Sequence, residues 1–166
     1  MPTLPNTVPS ADTKAPAPVI TRTQATWVGD QRFEAGPAAR THLIDAGAIA
    51  GPGPVETLLN ALATCSAVDI LSILAKRRTP VERLSVHVEG ERRPTAPRRL
   101  VRVSLEFRID GAGIEREHAE RAIHLSFEQY CSVASSLAAD IETEARLTLN
   151  GVSHPPFPLA VSATSR

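Results

Sequence analysis

The chain of 166 residues predicts an α+β fold with the element order βββαββαβ. Three observations carry this: short runs whose apolar residues alternate at period two, two longer segments with apolar residues at helical spacing, and Gly/Pro punctuation between them. A chain of this length fits one domain with one core.

Residues 1–18, MPTLPNTVPSADTKAPAP, are rich in Pro, Ala, Thr and Ser and have neither a basic n-region nor an apolar h-region. They predict a disordered arm, not a secretory signal. Val19 to Trp27 and Arg32 to Ala35 read as strands around a turn at Val28-Gly29-Asp30-Gln31, and Thr41 to Asp45 as a third strand. Gly51-Pro52-Gly53-Pro54 breaks the chain and places a proline in the first turn of a helix that runs to Arg77. This helix is apolar on most sides, the pattern of an element surrounded by protein. Asn60, Asp69 and Ser72 within it favour a buried helix of a soluble protein over a membrane span. After Thr79-Pro80, Leu84, Val86 and Val88, and then Val101, Val103, Leu105, Phe107 and Ile109, alternate with polar residues. These predict two half-exposed strands joined as a hairpin. A second helix is predicted from Ile114 to Ala139, and Ala145, Leu147 and Leu149 mark a last strand. Pro155, Pro156 and Pro158 make the tail from Gly151 irregular, so the domain spans 19–150, between the arm and a tail of 151–166.

Lys+Arg and Asp+Glu both number 18, so no net field favours nucleic acid or an anionic membrane, and neither partner is expected. The basic run Arg92-Arg93-Pro94-Thr95-Ala96-Pro97-Arg98-Arg99 has no aromatic interleaving and reads as a solvated loop. The histidines form no HExxH or closely spaced Cys/His set, there is no GxSxG elbow, and the prolines of Gly51 to Pro54 remove the N–H groups that would hold phosphate. No metal or cofactor is expected. Cys65 and Cys131 are the two cysteines, each in the middle of a helix-patterned segment. In the cytoplasmic location expected for this chain, such a pair means free thiols or a transient catalytic disulfide. Two facing thiols can act as nucleophile and resolving partner; equally, both can pack as small hydrophobes.

The helix Pro54-Val55-Glu56-Thr57-Leu58-Leu59-Asn60-Ala61-Leu62-Ala63-Thr64-Cys65-Ser66-Ala67-Val68-Asp69-Ile70-Leu71-Ser72-Ile73-Leu74, then Val88-Glu89-Gly90-Glu91-Arg92, then Leu125-Ser126-Phe127-Glu128-Gln129-Tyr130-Cys131-Ser132-Val133, resembles the OsmC/Ohr family, specifically its OsmC-like branch. The likeness covers roughly residues 20–150. It implies antiparallel sheets packed around two central cysteine-bearing helices, in an intertwined homodimer with sites at the subunit interface. It also implies a thiol-dependent peroxidase that reduces organic hydroperoxides to alcohols and is recharged by a dithiol reductant. In that family the first-helix cysteine attacks the peroxide and the second-helix cysteine resolves the sulfenic acid, roles that map onto Cys65 and Cys131. The alternative is a dimeric module without enzymatic activity that binds a hydrophobic small molecule at its interface.

The sequence departs from the family pattern at the assisting pair. The family's Glu stands ten residues before the reactive Cys, where this chain has Val55; Glu56 is shifted by one residue, about 100° around a helix. The family's Arg follows Thr-Gly-Gly, whereas Arg32 here follows Val28-Gly29-Asp30-Gln31. Cys65 lies about 16 Å along the helix from Pro54, too far for the helix N-terminus to lower its pKa. Arg32 is therefore the candidate cation, with Glu56 orienting its guanidinium; an ordinary surface ion pair is the alternative.

Overall fold

The computed structural model describes residues 17–161, so most of the predicted arm and the last residues of the tail lie outside the described residues. Strands β1 (Gln24–Gly29), β2 (Arg32–Gly36) and β3 (His42–Asp45) form an antiparallel sheet in that order. Its first turn needs left-handed backbone: Gly29 has φ 119° and Asp30 φ 49°, conformations open to Gly and tolerated by Asp. The first strand begins at Gln24, later than predicted, because Gln24 pairs with Gly36, the last residue of β2. Val19 and Ile20 consequently have no strand partner and stand exposed.

Helix α1 (Pro54–Lys76) starts and ends within a residue of its predicted bounds. Asp45, at the end of β3, sets the approach to it by accepting from the N–H groups of Gly47 (2.9 Å), Ile49 (3.3 Å) and Ala50 (3.0 Å). These bonds hold its carboxyl below the ordinary value, with the Ala50 N–H contributing most. The hydroxyls of Thr64, Ser66 and Ser72 turn back onto carbonyls of α1, so these polar residues of the helix are satisfied within it.

β4 (Arg83–Arg92) and β5 (Leu100–Asp110) make the predicted hairpin, with Val86 opposite Phe107 and Val88 opposite Leu105. β6 (Glu142–Leu149) lies parallel to β5, so the larger sheet is mixed and not wholly antiparallel. The reason is the connection: the chain leaves β5, crosses one sheet face as helix, and re-enters in the same direction. The tail, expected to be irregular, adds β7 (Val152–Ser153) and β8 (Phe157–Pro158) to β6. Asn150 (φ 48°) and Gly151 (φ 80°) give the tight reversal that permits this.

The predicted second helix is broken. It divides into α2 (Arg116–Leu125), a π-helical turn over Ser126–Tyr130, Cys131 itself in extended backbone (φ −72°, ψ 99°), and the single turn α3 (Ser132–Ser135). The core lies between these pieces, α1 and the inner face of the larger sheet, where Leu62, Ile70 and Leu74 meet Leu105, Phe107, Ile123 and Leu147. Within one chain α1 is not surrounded. Leu62, Ser66, Ile70 and Leu74 bury one stripe, while Leu58, Val68 and Leu71 remain exposed. By length and composition alone α1 would also suit a membrane span, with mean hydropathy 1.8. Its contacts with β4, α2 and α3 pack one side of it within the chain.

Candidate functional site

Cys65 sits in the middle of α1, and Asp69, four residues on, projects from the same face one turn later. The broken helix delivers Cys131 to them. The N–H of Cys131 reaches back to the carbonyl of Ser126 at 2.7 Å, a five-residue span that closes the π turn. Cys131 then caps α3, its Sγ accepting from the N–H of Ala134 at 3.3 Å. As a result the two Sγ atoms and a carboxylate oxygen of Asp69 all lie within 4.8 Å of one another. Both cysteines are free thiols.

The surroundings make the thiols unequal. Cys65 is half-buried and Cys131 buried, at 2 % exposure. Burial pushes the Cys131 thiol up to about 12, the neighbouring Cys65 adds to the shift, and the Ala134 N–H opposes it. Cys131 is therefore a protonated thiol near neutral pH. The Asp69 carboxylate is held from the π turn, where the hydroxyl of the buried Ser126 donates to Oδ2 at 2.9 Å. Among the described residues, Cys65, Asp69 and Cys131 also form the one set whose donor atoms could converge on a metal ion. Two sulfurs and a carboxylate are donors that suit a zinc-like ion. Such a set is invisible to a search for closely spaced ligands, because Cys131 is far along the chain from the other two.

Of the four residues singled out in the sequence, the fold brings Cys65 and Cys131 together. Arg32 opens β2 and forms an ion pair with Asp30, opposite Asp45 on β3. Glu56 caps α1, its Oε2 accepting from the Gly53 N–H at 2.7 Å. Within one chain neither partners the other, nor the thiols. Asp69 and Ser126 are site residues that sequence reasoning passed over. The signal present in the sequence was a charged residue one helical turn from a cysteine in an otherwise apolar run, which counted only against a membrane span.

A family profile described as OsmC-like protein matches residues 46–146, from the loop before α1 through most of β6. The chain belongs to the OsmC-like protein family. The match takes in both cysteines and Asp69, but not β1 to β3. Protein YhfA of Escherichia coli K12 is 42% identical over 86 residues, 52% of this chain and 64% of YhfA, so the likeness spans less than two thirds of that relative. Among solved structures, an OsmC-like protein of Mycoplasma pneumoniae superposes with TM-score 0.69 at 18% identity, over 77% of this chain and 95% of that one. The organic hydroperoxide resistance protein OhrB of Bacillus subtilis shares the fold more distantly, with TM-score 0.53 at 12% identity over 79% of this chain and 98% of its own.

Proposed function

We propose that this OsmC-like protein is a thiol-dependent peroxidase that reduces organic hydroperoxides to alcohols. The observation that carries the reading is the close pairing of a half-exposed Cys65 with a buried Cys131. Accessibility supports the attacking and resolving roles, since Cys65 is partly exposed to a peroxide and Cys131 is buried beside it. The Cys65 thiolate attacks the distal peroxide oxygen, the O–O bond breaks, and the alkoxide leaves with a proton as alcohol. Cys65 is then a sulfenic acid. Cys131 displaces its hydroxyl as water to give a disulfide, which an external dithiol reduces to the two starting thiols. The fold shared with a protein named for organic hydroperoxide resistance supports the same substrate class.

The reading includes a homodimer in the cytoplasm. Trp27 and Phe33, paired across β1 and β2, and Val68 and Leu71 on α1 are exposed in a single chain. A second subunit would cover them. Arg32, on the same N-terminal sheet, would reach a site only across such an interface, while Glu56 acts first as the helix cap that fixes where α1 begins.

The test is turnover of cumene hydroperoxide with dithiothreitol. The wild type should consume it in preference to hydrogen peroxide, and Cys65→Ser should abolish consumption. A wild type that consumes no hydroperoxide would favour a binding module without enzymatic activity.

A further inference from the structure

The resolving step poses a problem that the two thiols cannot solve alone. Cys131 is a buried thiol, yet the thiolate is the attacking species in thiol–disulfide chemistry. Some group must take the proton as Cys131 attacks. Glu56, an acid that the sequence suggested for the site, is occupied at the Gly53 N–H, and Arg32 is a cation paired with Asp30. No other His, Asp or Glu among the described residues joins the cluster of the two sulfurs and Asp69.

We infer that Asp69 is the general base of the resolving step, accepting the Cys131 proton as that sulfur attacks oxidised Cys65. The inference rests on the peroxidase reading for its place in turnover. Its geometry is independent of that reading: a carboxylate oxygen within 4.8 Å of both sulfurs, held by the Ser126 hydroxyl at 2.9 Å. Ser126 is fully buried and belongs to the π turn that also presents Cys131, so one local distortion aligns the base and the thiol it serves.

The step balances. The Asp69 carboxylate takes the proton from Cys131 Sγ, the S–S bond forms, and the S–O bond of the Cys65 sulfenic acid breaks. The departing hydroxide takes the proton from Asp69 and leaves as water. The two sulfurs are together oxidised to the disulfide, and Asp69 returns to its ionised form. The Ala134 N–H, already on Cys131 Sγ, stabilises negative charge as it develops there. Attack by Cys65 moves no proton off Cys131, so Asp69 serves the second step and not the first.

That asymmetry gives a test which does not need peroxide. An aromatic disulfide, dithio-bis-nitrobenzoate, releases one coloured thiolate when Cys65 attacks it and a second when Cys131 displaces the group now on Cys65. In stopped flow, Asp69→Asn should leave the first phase unchanged and slow the second by about 100-fold, the scale of a lost general base. Ser126→Ala, which keeps the carboxylate but frees it, should slow the second phase by a smaller factor and serves if the Asp69 variant does not fold. A second phase at the wild-type rate in these variants, or equal slowing of both phases, would overturn the assignment. Parallel assays with cumene hydroperoxide separate the two ideas. Asp69-dependent displacement in a protein that consumes no hydroperoxide leaves the base in place and removes the peroxidase. Hydroperoxide turnover with an Asp69-independent second phase does the reverse.

Discussion

Cys131 and Asp45 are both buried polar residues, and backbone N–H groups steady each of them. At Cys131 the N–H groups of Ala134 and, more weakly, Val133 work against burial and do not overcome it, so the thiol is held up to about 12. Cys131→Ser should accordingly spare the first encounter with peroxide and stall afterwards. One equivalent of cumene hydroperoxide should be consumed and a sulfenic acid should accumulate on Cys65, read by intact mass; sustained turnover at the wild-type rate would contradict the resolving role. At Asp45 three N–H groups hold the carboxyl below its ordinary value of 3.8, with the Ala50 bond foremost. A group whose folded pKa is depressed adds stability above the unfolded value, and that stability is lost as pH falls through the folded value. Asp45→Asn, with one acceptor oxygen in place of two, should lower the melting temperature at pH 7. The gap from wild type should begin to narrow near the ordinary value of 3.8 and close only as pH falls through the lower folded value, where the native carboxyl is protonated as well. Glu106 and Asp140 are shifted the same way by Arg108 and Arg99, so the difference between variant and wild type isolates Asp45. A gap of constant size across pH would show that the carboxylate charge plays no part.

The decisive element is the π turn, because one extra residue between Ser126 and Cys131 sets the direction in which the second thiol points. Removing a residue there would restore ordinary helical bonding and rotate Cys131 and α3 by about 100°. Deletion of Tyr130, which is 56% exposed and packs little, should keep the secondary structure seen by circular dichroism yet abolish the Cys65–Cys131 bridge. Non-reducing peptide mapping after one equivalent of oxidant checks this, and a bridge formed at wild-type yield would refute it. The sequence could not reveal this turn. Phe127, Cys131, Ala134 and Leu137 keep nearly helical spacing through the break, and no Gly or Pro marks it. The hairpin β4–β5 was legible because Val86, Val88, Val103 and Leu105 alternate with polar neighbours, and α1 because prolines and Gly53 announce its start. The two short tail strands were not, since prolines mask strand character in segments that lie at a sheet edge. In the site, both thiols were legible as a pair. Asp69 was not, because a helix pattern shows which residues share a face but not what a distant segment brings to that face.

For the molecule as a whole, the unequal burial of α1 is the main fact a single chain leaves unexplained. The helix is apolar enough to suit a membrane, yet Val68 is 61% exposed, Leu58 and Leu71 are each 41% exposed, and Trp27 on the N-terminal sheet is 65% exposed. That sheet meets the rest of the chain through β3 against α1, so most of its surface is free to pack elsewhere. Leaving these side chains in water forgoes roughly 1.5–3 kcal/mol for each large apolar group that could be buried. A second copy of the chain offers the same apolar surface, and a two-fold arrangement buries both at once. Light scattering should therefore report about twice 17.7 kDa at micromolar concentration. The melting temperature should rise with protein concentration, as it does when folding and association are linked. Val68→Glu places a charge at the most exposed apolar position of α1 without touching Leu62, Ile70 or Leu74 in the core. It should lower the melting temperature and shift the mass toward the monomer. Because Val68 stands beside Asp69 on the helix, it should also weaken peroxidase turnover if the interface shapes the site. A folded, monomeric wild type with a concentration-independent melting temperature would exclude the dimer, and Arg32 would then have no route to Cys65 through a second subunit.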